Sequence, residues 1–299
     1  MISLLFVLSV ACGGERPEPV SPADVARPDD ARGGRLFDRW MSEAQGAPFQ
    51  PDSHATPGVA DGSGGPRGDG TLLFADGRVL LNDGAHDYRL KNLFGWDLRG
   101  RAGLYGPDRM AKSYAVDGDL LSWTGGVSEV ADRFAQGDAQ VPALGPVLSR
   151  AELEDLASFV VRMRDGELPR PDSIYTLTSA DAGHYALREG GDAARGRAMF
   201  AERCAGCHGA DGTGMLFDGG AFSLGSHARQ KAYEDWLKIL NGQPGSEMDR
   251  QVRGATAAEM TQELLDLFAA LCDREAFPVG AATSADVADG DPRCGAYLR

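Results

Sequence analysis

Basic residues are scarce beside acidic ones: 30 Lys and Arg stand against 44 Asp and Glu, giving a net charge of −14. That balance excludes nucleic acid as a partner, because phosphate backbones are held by clustered Lys and Arg. A membrane-spanning run is missing where one might start. Met1 to Ala11 are uncharged and mostly apolar, well short of the roughly 20 residues that cross a bilayer core. Cysteine is sparse, with five in 299 residues. Only one Cys-x-x-Cys occurs, so a structural zinc site built from two such pairs is excluded. No Ser/His/Asp constellation and no phosphate-binding loop stands out. What is present is an apolar fraction of 42% and a charged fraction of 25%, the balance of a globular protein long enough for two domains. The charge is uneven: ten acids and eight bases between Ala193 and Cys272 give −2, which leaves −12 for the rest.

The single Cys-x-x-Cys continues into histidine: residues 204–208 read Cys-Ala-Gly-Cys-His. Two thiols three residues apart reach the two vinyl groups of one haem, and the adjacent His is then aimed at the iron. A thioredoxin-like redox pair would follow a strand in a βαβ setting, and no such pattern surrounds this one. Ala194 to Arg203 carries good helix formers, with Met199 and Phe200 leading into the motif. The stretch from Gly209 to Gly214 is too glycine-rich to continue a helix. Lys231 to Asn241 reads as a short helix with Trp236, Leu237 and Leu240 apolar, ended by Gly242. Thr256-x-x-Glu259 is a capping box, and Met260, Leu264, Phe268 and Leu271 then recur at helical spacing.

The run from Gly196 through Cys204, Cys207 and His208 to Gly212 resembles a class I cytochrome c domain, over roughly residues 193–272. The resemblance implies a mainly α fold around one covalent haem c. It also implies a methionine as second axial ligand, on the loop before the last helix. Met248 occupies that place, followed by Asp249 where the family usually has Pro. Gly196 and Phe200 match first-helix positions that pack against an aromatic of the last helix, here Phe268. Met215 and His227 are the competing sixth ligands; Met215 is expected to pack, and His227 to lie at the surface or on the propionate side. Trp236 either donates its indole N–H to a propionate or packs between helices. His208 and Met248 together would saturate the iron, and thioether ligation favours its reduced state. Such a site carries electrons rather than turning over peroxide or oxygen.

An internal repeat follows from the same landmarks. Gly33-x-x-x-Phe37 repeats Gly196-x-x-x-Phe200, and Leu90-Lys-Asn-Leu93-Phe94-Gly95-Trp96-Asp97 aligns with Cys204 to Asp211. Val141-Pro142 takes the place of a ligand loop, and Ser149-x-x-Glu152 caps a helix bearing Leu153, Leu156, Val160 and Met163. The first half resembles the leading domain of tandem c-type cytochromes, with every haem-bonding position turned apolar, as a refilled core requires. The alternative is chance likeness between helical stretches. Thr71 to Leu81, with Asp76-Gly77 between apolar runs, reads as a small β-hairpin inserted over the refilled region. His54, Asp83 and His86 are expected to be solvated loop residues rather than metal ligands.

Ser9-Val10-Ala11-Cys12 resembles the lipobox of bacterial lipoproteins, in which Cys12 would be acylated. The alternatives are ordinary secretion, giving a soluble periplasmic or secreted protein, and an uncleaved anchor or cytoplasmic location. With Cys12 on lipid and Cys204 and Cys207 on haem, Cys272 and Cys294 remain as a disulfide pair or as two free thiols. A bridge over 294 − 272 = 22 residues would be worth about 3 kcal/mol in an oxidising compartment. The expected organisation is signal peptide 1–11, flexible tether 12–30, haemless cytochrome c-like domain 31–166, linker 167–192, haem domain 193–272 and stapled tail 273–299. The expected function is electron transfer in the bacterial envelope, on the periplasmic side, with redox proteins as partners and a lipid anchor in the membrane. A peroxidase and a partner-docking role for the first domain are the alternatives.

Overall fold

The structure, a computed structural model, describes residues 27–44, 72–80, 89–180 and 182–299. Cys12, His54, Asp83 and His86 lie outside them. Among the described residues the chain forms nine α-helices and two short antiparallel hairpins. No helix among them is long and apolar enough to cross a membrane.

Two helix pairs organise the molecule. Helix α1 (Asp30–Glu43) crosses α4 (Arg150–Arg164), and α6 (Ala193–Arg203) crosses α9 (Ala257–Leu271). Each crossing is close because a glycine faces a backbone carbonyl. A Cβ on Gly33 would lie 2.0 Å from the Asp155 carbonyl oxygen, and one on Gly196 would lie 1.9 Å from that of Asp266. The polar frame around each crossing is also shared. The Asp29 N–H donates to Asp155 Oδ1 at 2.7 Å, and the Asp192 N–H donates to Asp266 Oδ1 at 2.7 Å. Arg32 Nη1 then reaches Asp155 Oδ2 at 2.9 Å, while Arg195 Nε reaches Asp266 Oδ2 at 2.7 Å. Both later helices start with capping boxes, on Ser149 with Glu152 and on Thr256 with Glu259.

The likeness extends along the chain. Helix α2 (Leu90–Phe94) ends on Gly95 at φ 72°, ψ 166°, and α7 (Ala205–His208) ends on Gly209 at φ 81°, ψ 159°, a left-handed turn that glycine enters without strain. Helix α3 (Val127–Gln136) is followed by Gly137, and α8 (Leu224–Asn241) by Gly242. The next N–H donates in each case to a carbonyl on the loop that follows: Asp138 to Val141 and Gln243 to Met248, both at 2.9 Å. In the first half the interior is filled by side chains. Leu90, Leu93, Phe94 and Val141 are buried, Phe94 lies edge-on to Trp123 at 6.4 Å, and Trp123 meets Phe134 at 5.0 Å. The hairpin of β1 (Leu72–Leu73) and β2 (Val79–Leu80) rests on the 138–143 segment, where the Ala143 N–H donates to the Leu73 carbonyl at 2.8 Å.

Residues 167–192, expected as a linker, are folded instead. Helix α5 (Pro171–Ile174) runs into β3 (Tyr175–Leu177), which pairs with β4 (Tyr185–Leu187). Ile174, Tyr175 and Tyr185 are buried, and the Tyr185 hydroxyl accepts the Ala232 N–H at 3.0 Å. That bond falls beside Lys231, whose φ of −137° kinks α8. A side chain that takes a helix N–H from its own ladder bends the helix there. The kink explains why sequence periodicity begins at Lys231, although α8 starts at Leu224 under a Ser223 cap.

Cys272 and Cys294 are joined in a disulfide. The tail is also held by Arg229, a fully buried side chain on α8. Its guanidinium makes two bonds to Asp286, at 2.8 and 2.7 Å, and donates to the Leu271 and Phe277 carbonyls at 2.9 and 3.0 Å. Buried charge is tolerated where, as here, a bidentate carboxylate and carbonyls satisfy it.

Candidate functional site

The motif closes α6 and forms α7. The Cys204 and His208 backbones continue the helical ladder, with the Cys204 N–H on the Phe200 carbonyl at 2.9 Å and the His208 N–H on the Cys204 carbonyl at 3.0 Å. This winding gathers Cys204, Cys207 and His208 within a single turn. Both cysteines are free, Cys204 half-buried and Cys207 exposed. Burial pushes the Cys204 thiol up to about 11. A redox-active Cys-x-x-Cys would lower a thiol instead, so the microenvironment does not suit disulfide exchange. Zinc fits no better, since no group of three His, Cys, Asp or Glu among the described residues could hold a metal.

Burial also holds the His208 imidazole below its ordinary value, against a weaker pull from Asp235. A neutral ring is the form that ligates iron. His208 Nδ1 and the indole N–H of the fully buried Trp236 have no hydrogen-bond partner in the protein. Beside the motif, Met215 and Leu216 are 47% and 40% exposed, two of the four large apolar side chains so placed among the described residues. A pair of thiols, a neutral His, unpaired N–H groups and an uncovered apolar lip fit a flat, apolar cofactor with polar edges.

Residues 193–267 match the sequence pattern of the cytochrome c family. That segment is a cytochrome c domain. Its cofactor is haem c, bound covalently as in the family, and its chemistry is electron transfer. No curated protein and no solved structure matches the chain.

Several neighbours of the cytochrome c motif differ from their sequence expectations. Met215 does not pack; it is exposed because Gly209 to Gly214 turns it outward from the core. The ring edge-on to Phe200 is Phe277, at 4.7 Å, and Phe268 of α9 is buried as well. His227 is not at the surface but 5% exposed, between Phe217 at 5.6 Å and Phe222 at 5.5 Å. Phe217 in turn lies 5.9 Å from the His208 ring. Helix α8 begins a full two turns before Lys231, and that is what carries His227 inside. Met248 is half-buried on the loop after Gly242, its own N–H donating to Ser246 Oγ at 3.1 Å.

That loop is braced from the first half of the chain. The Gly245 N–H donates to Glu43 Oε1 at 2.8 Å, and Arg35 bridges Glu43 Oε2 and the Asn241 carbonyl, both at 2.9 Å. Arg250 donates to the Leu240 carbonyl at 2.7 Å and pairs with Asp30, which also binds Arg162. Sequence reasoning missed this brace, although Arg35 and Glu43 sit eight residues apart on one helix.

His227 Nδ1 lies 2.9 Å from Asp235 Oδ1. Burial alone would depress this imidazole, but the charge and hydrogen bond of Asp235 outweigh it and raise its pKa above the ordinary 6.5. A raised folded-state pKa stabilises fully below the unfolded value and loses that contribution as pH climbs through the folded one. Melting temperature should therefore fall more steeply in the native protein than in His227→Gln as pH rises above about 6.5. Parallel curves for the two proteins would refute the coupling.

Proposed function

We propose that this chain is a monohaem electron carrier of the bacterial cell envelope, with His208 and Met248 as axial iron ligands. Cys204 and Cys207 carry the thioether bonds. Bound haem supplies a one-electron iron couple; the protein fixes it and shields it. The observation that carries this reading is the contrast between two matching turns. Before Gly209 the chain presents two free thiols and a neutral imidazole, whereas before Gly95 it presents buried Leu90, Leu93 and Phe94. We read the first half as a haemless cytochrome c-like unit whose refilled core braces the loop bearing Met248. Redox proteins of the envelope are its partners, and Cys12 is its lipid anchor.

Intact mass should exceed the processed polypeptide and lipid by one haem, and voltammetry should give a single one-electron wave. A second haem, or a wave of two components, would refute the haemless first half. Cys12→Ser should move the protein from the membrane to the soluble envelope fraction with its haem still attached. Bacterial lipoproteins rely on several acyl chains, since one alone holds only marginally. Native protein already soluble after export would remove the anchor from the proposal.

A further inference from the structure

One cavity, of about 430 Å³, lies away from the motif, between the loop after α2 and the segment of α5, β3 and β4. Its wall carries four arginines, Arg99, Arg109, Arg170 and Arg188. That concentration runs against a chain whose net charge is −14. Two acidic residues share the wall, Asp97 and Asp172. Asp97 is buried with its Oδ2 accepting the Leu104 N–H at 2.7 Å, and four arginines against two carboxylates leave the cations in excess.

The protein uses only part of this donor capacity. Arg99 Nε faces Asp119 at 3.5 Å, and Arg109 Nη1 donates to the Gly103 carbonyl at 3.0 Å. Arg170 reaches Asp172 at 3.4 Å and the Arg164 carbonyl at 3.1 Å, and Arg188 Nε donates to the Asp172 carbonyl. Each guanidinium has five N–H donors, so most remain open. Pro171 and Leu177 add apolar surface. The cavity is larger than a lone inorganic ion needs and falls in the range of small-molecule sites.

We propose that this cavity binds a small organic or condensed-phosphate anion bearing at least two oxyanion groups, held by the forks of Arg99, Arg109, Arg170 and Arg188. Planar guanidinium forks match carboxylate and phosphate alike. The binding is independent of the haem site.

Calorimetric titration of the full haem-loaded chain with citrate, and separately with pyrophosphate, tests this at low salt. At least one probe should give a saturable one-site isotherm; citrate alone would mark a polycarboxylate site and pyrophosphate alone a phosphate site. Arg170→Gln and Arg188→Gln should each weaken it about tenfold or more, as expected for losing one charge-assisted contact. Arg109→Gln, which gives up one bond to the Gly103 carbonyl, should weaken it too and serves if either of those variants fails to fold. Arg101→Gln, outside the wall and paired with Asp117 at 3.6 Å, should bind as the native protein does. No saturable binding of either probe, pocket variants that bind normally, or an equal loss in Arg101→Gln would overturn the proposal.

Discussion

Met248→Ala is expected to abolish the far-red sulfur-to-iron charge-transfer band of the oxidised protein and to lower its reduction potential. Thioether ligation raises the potential by favouring ferrous iron, so its removal acts in the opposite direction. The loop itself should survive, because its fixed points are backbone groups. Gln243 donates to the Met248 carbonyl at 2.9 Å, Met248 donates to Ser246 Oγ at 3.1 Å, and Glu43 holds Gly245. The variant should therefore keep its covalent haem and its melting temperature while binding imidazole from solution. A native-like spectrum would pass the role to another residue. Of the two runners-up, His227 is pinned by Asp235 and flanked by two phenylalanine rings, and Met215 lies on the loop just past His208.

The second large effect is on stability. Gly196→Ala would place a methyl group 1.9 Å from the Asp266 carbonyl oxygen, and Gly33→Ala one 2.0 Å from that of Asp155. The obstacle is helix backbone rather than a mobile side chain, so the helices must part. Overpacking of this kind costs about 3 kcal/mol, which for a chain of this size lowers the melting temperature by roughly 10 °C. Separation would also loosen the bonds from Asp29 to Asp155 and from Asp192 to Asp266. Calorimetry of both variants decides the matter, and melting with the native protein in either case would show that the crossing can open freely. A changed haem spectrum in Gly196→Ala alone would further locate the crossing that matters to the cofactor.

The parts legible in the sequence are those written in short-range chemistry. Capping boxes gave α4 and α9 their starts, because Ser149 with Glu152 and Thr256 with Glu259 need only neighbours three residues away. Asp76-Gly77 marked the first hairpin in the same way. The repeated Gly-x-x-x-Phe placed both helix crossings, since close approach leaves glycine as its trace. What escaped depends on distant partners. The hairpin at 175–187 is specified by tyrosines packing against one another and on α8, with Tyr185 5.7 Å from Tyr175 and 5.4 Å from Tyr233. The Pro, Ser, Asp and Gly content of 167–192 reads as linker when those contacts are unknown. Arg229 is a charge in the core, opposite to what composition suggests, and Asp286 with the Leu271 and Phe277 carbonyls, all far along the chain, makes it tolerable. His227 was misplaced because the kink at Lys231 hides the helical turns before it.

The contact between Glu43 and Gly245 makes the two halves kinetically unequal to their sum. A haem domain cut free near residue 190 would keep its thioether bonds, which belong wholly to its own helices. Its ligand loop would lose an outside splint, and the barrier to methionine detachment would fall even where the equilibrium spectrum stays the same. Rapid mixing with imidazole would register this as faster uptake by the fragment than by the whole chain. On the proposed ligation by Met248, the first half would guard the dwell time of one bond, a task that needs rigid packing and no redox chemistry of its own.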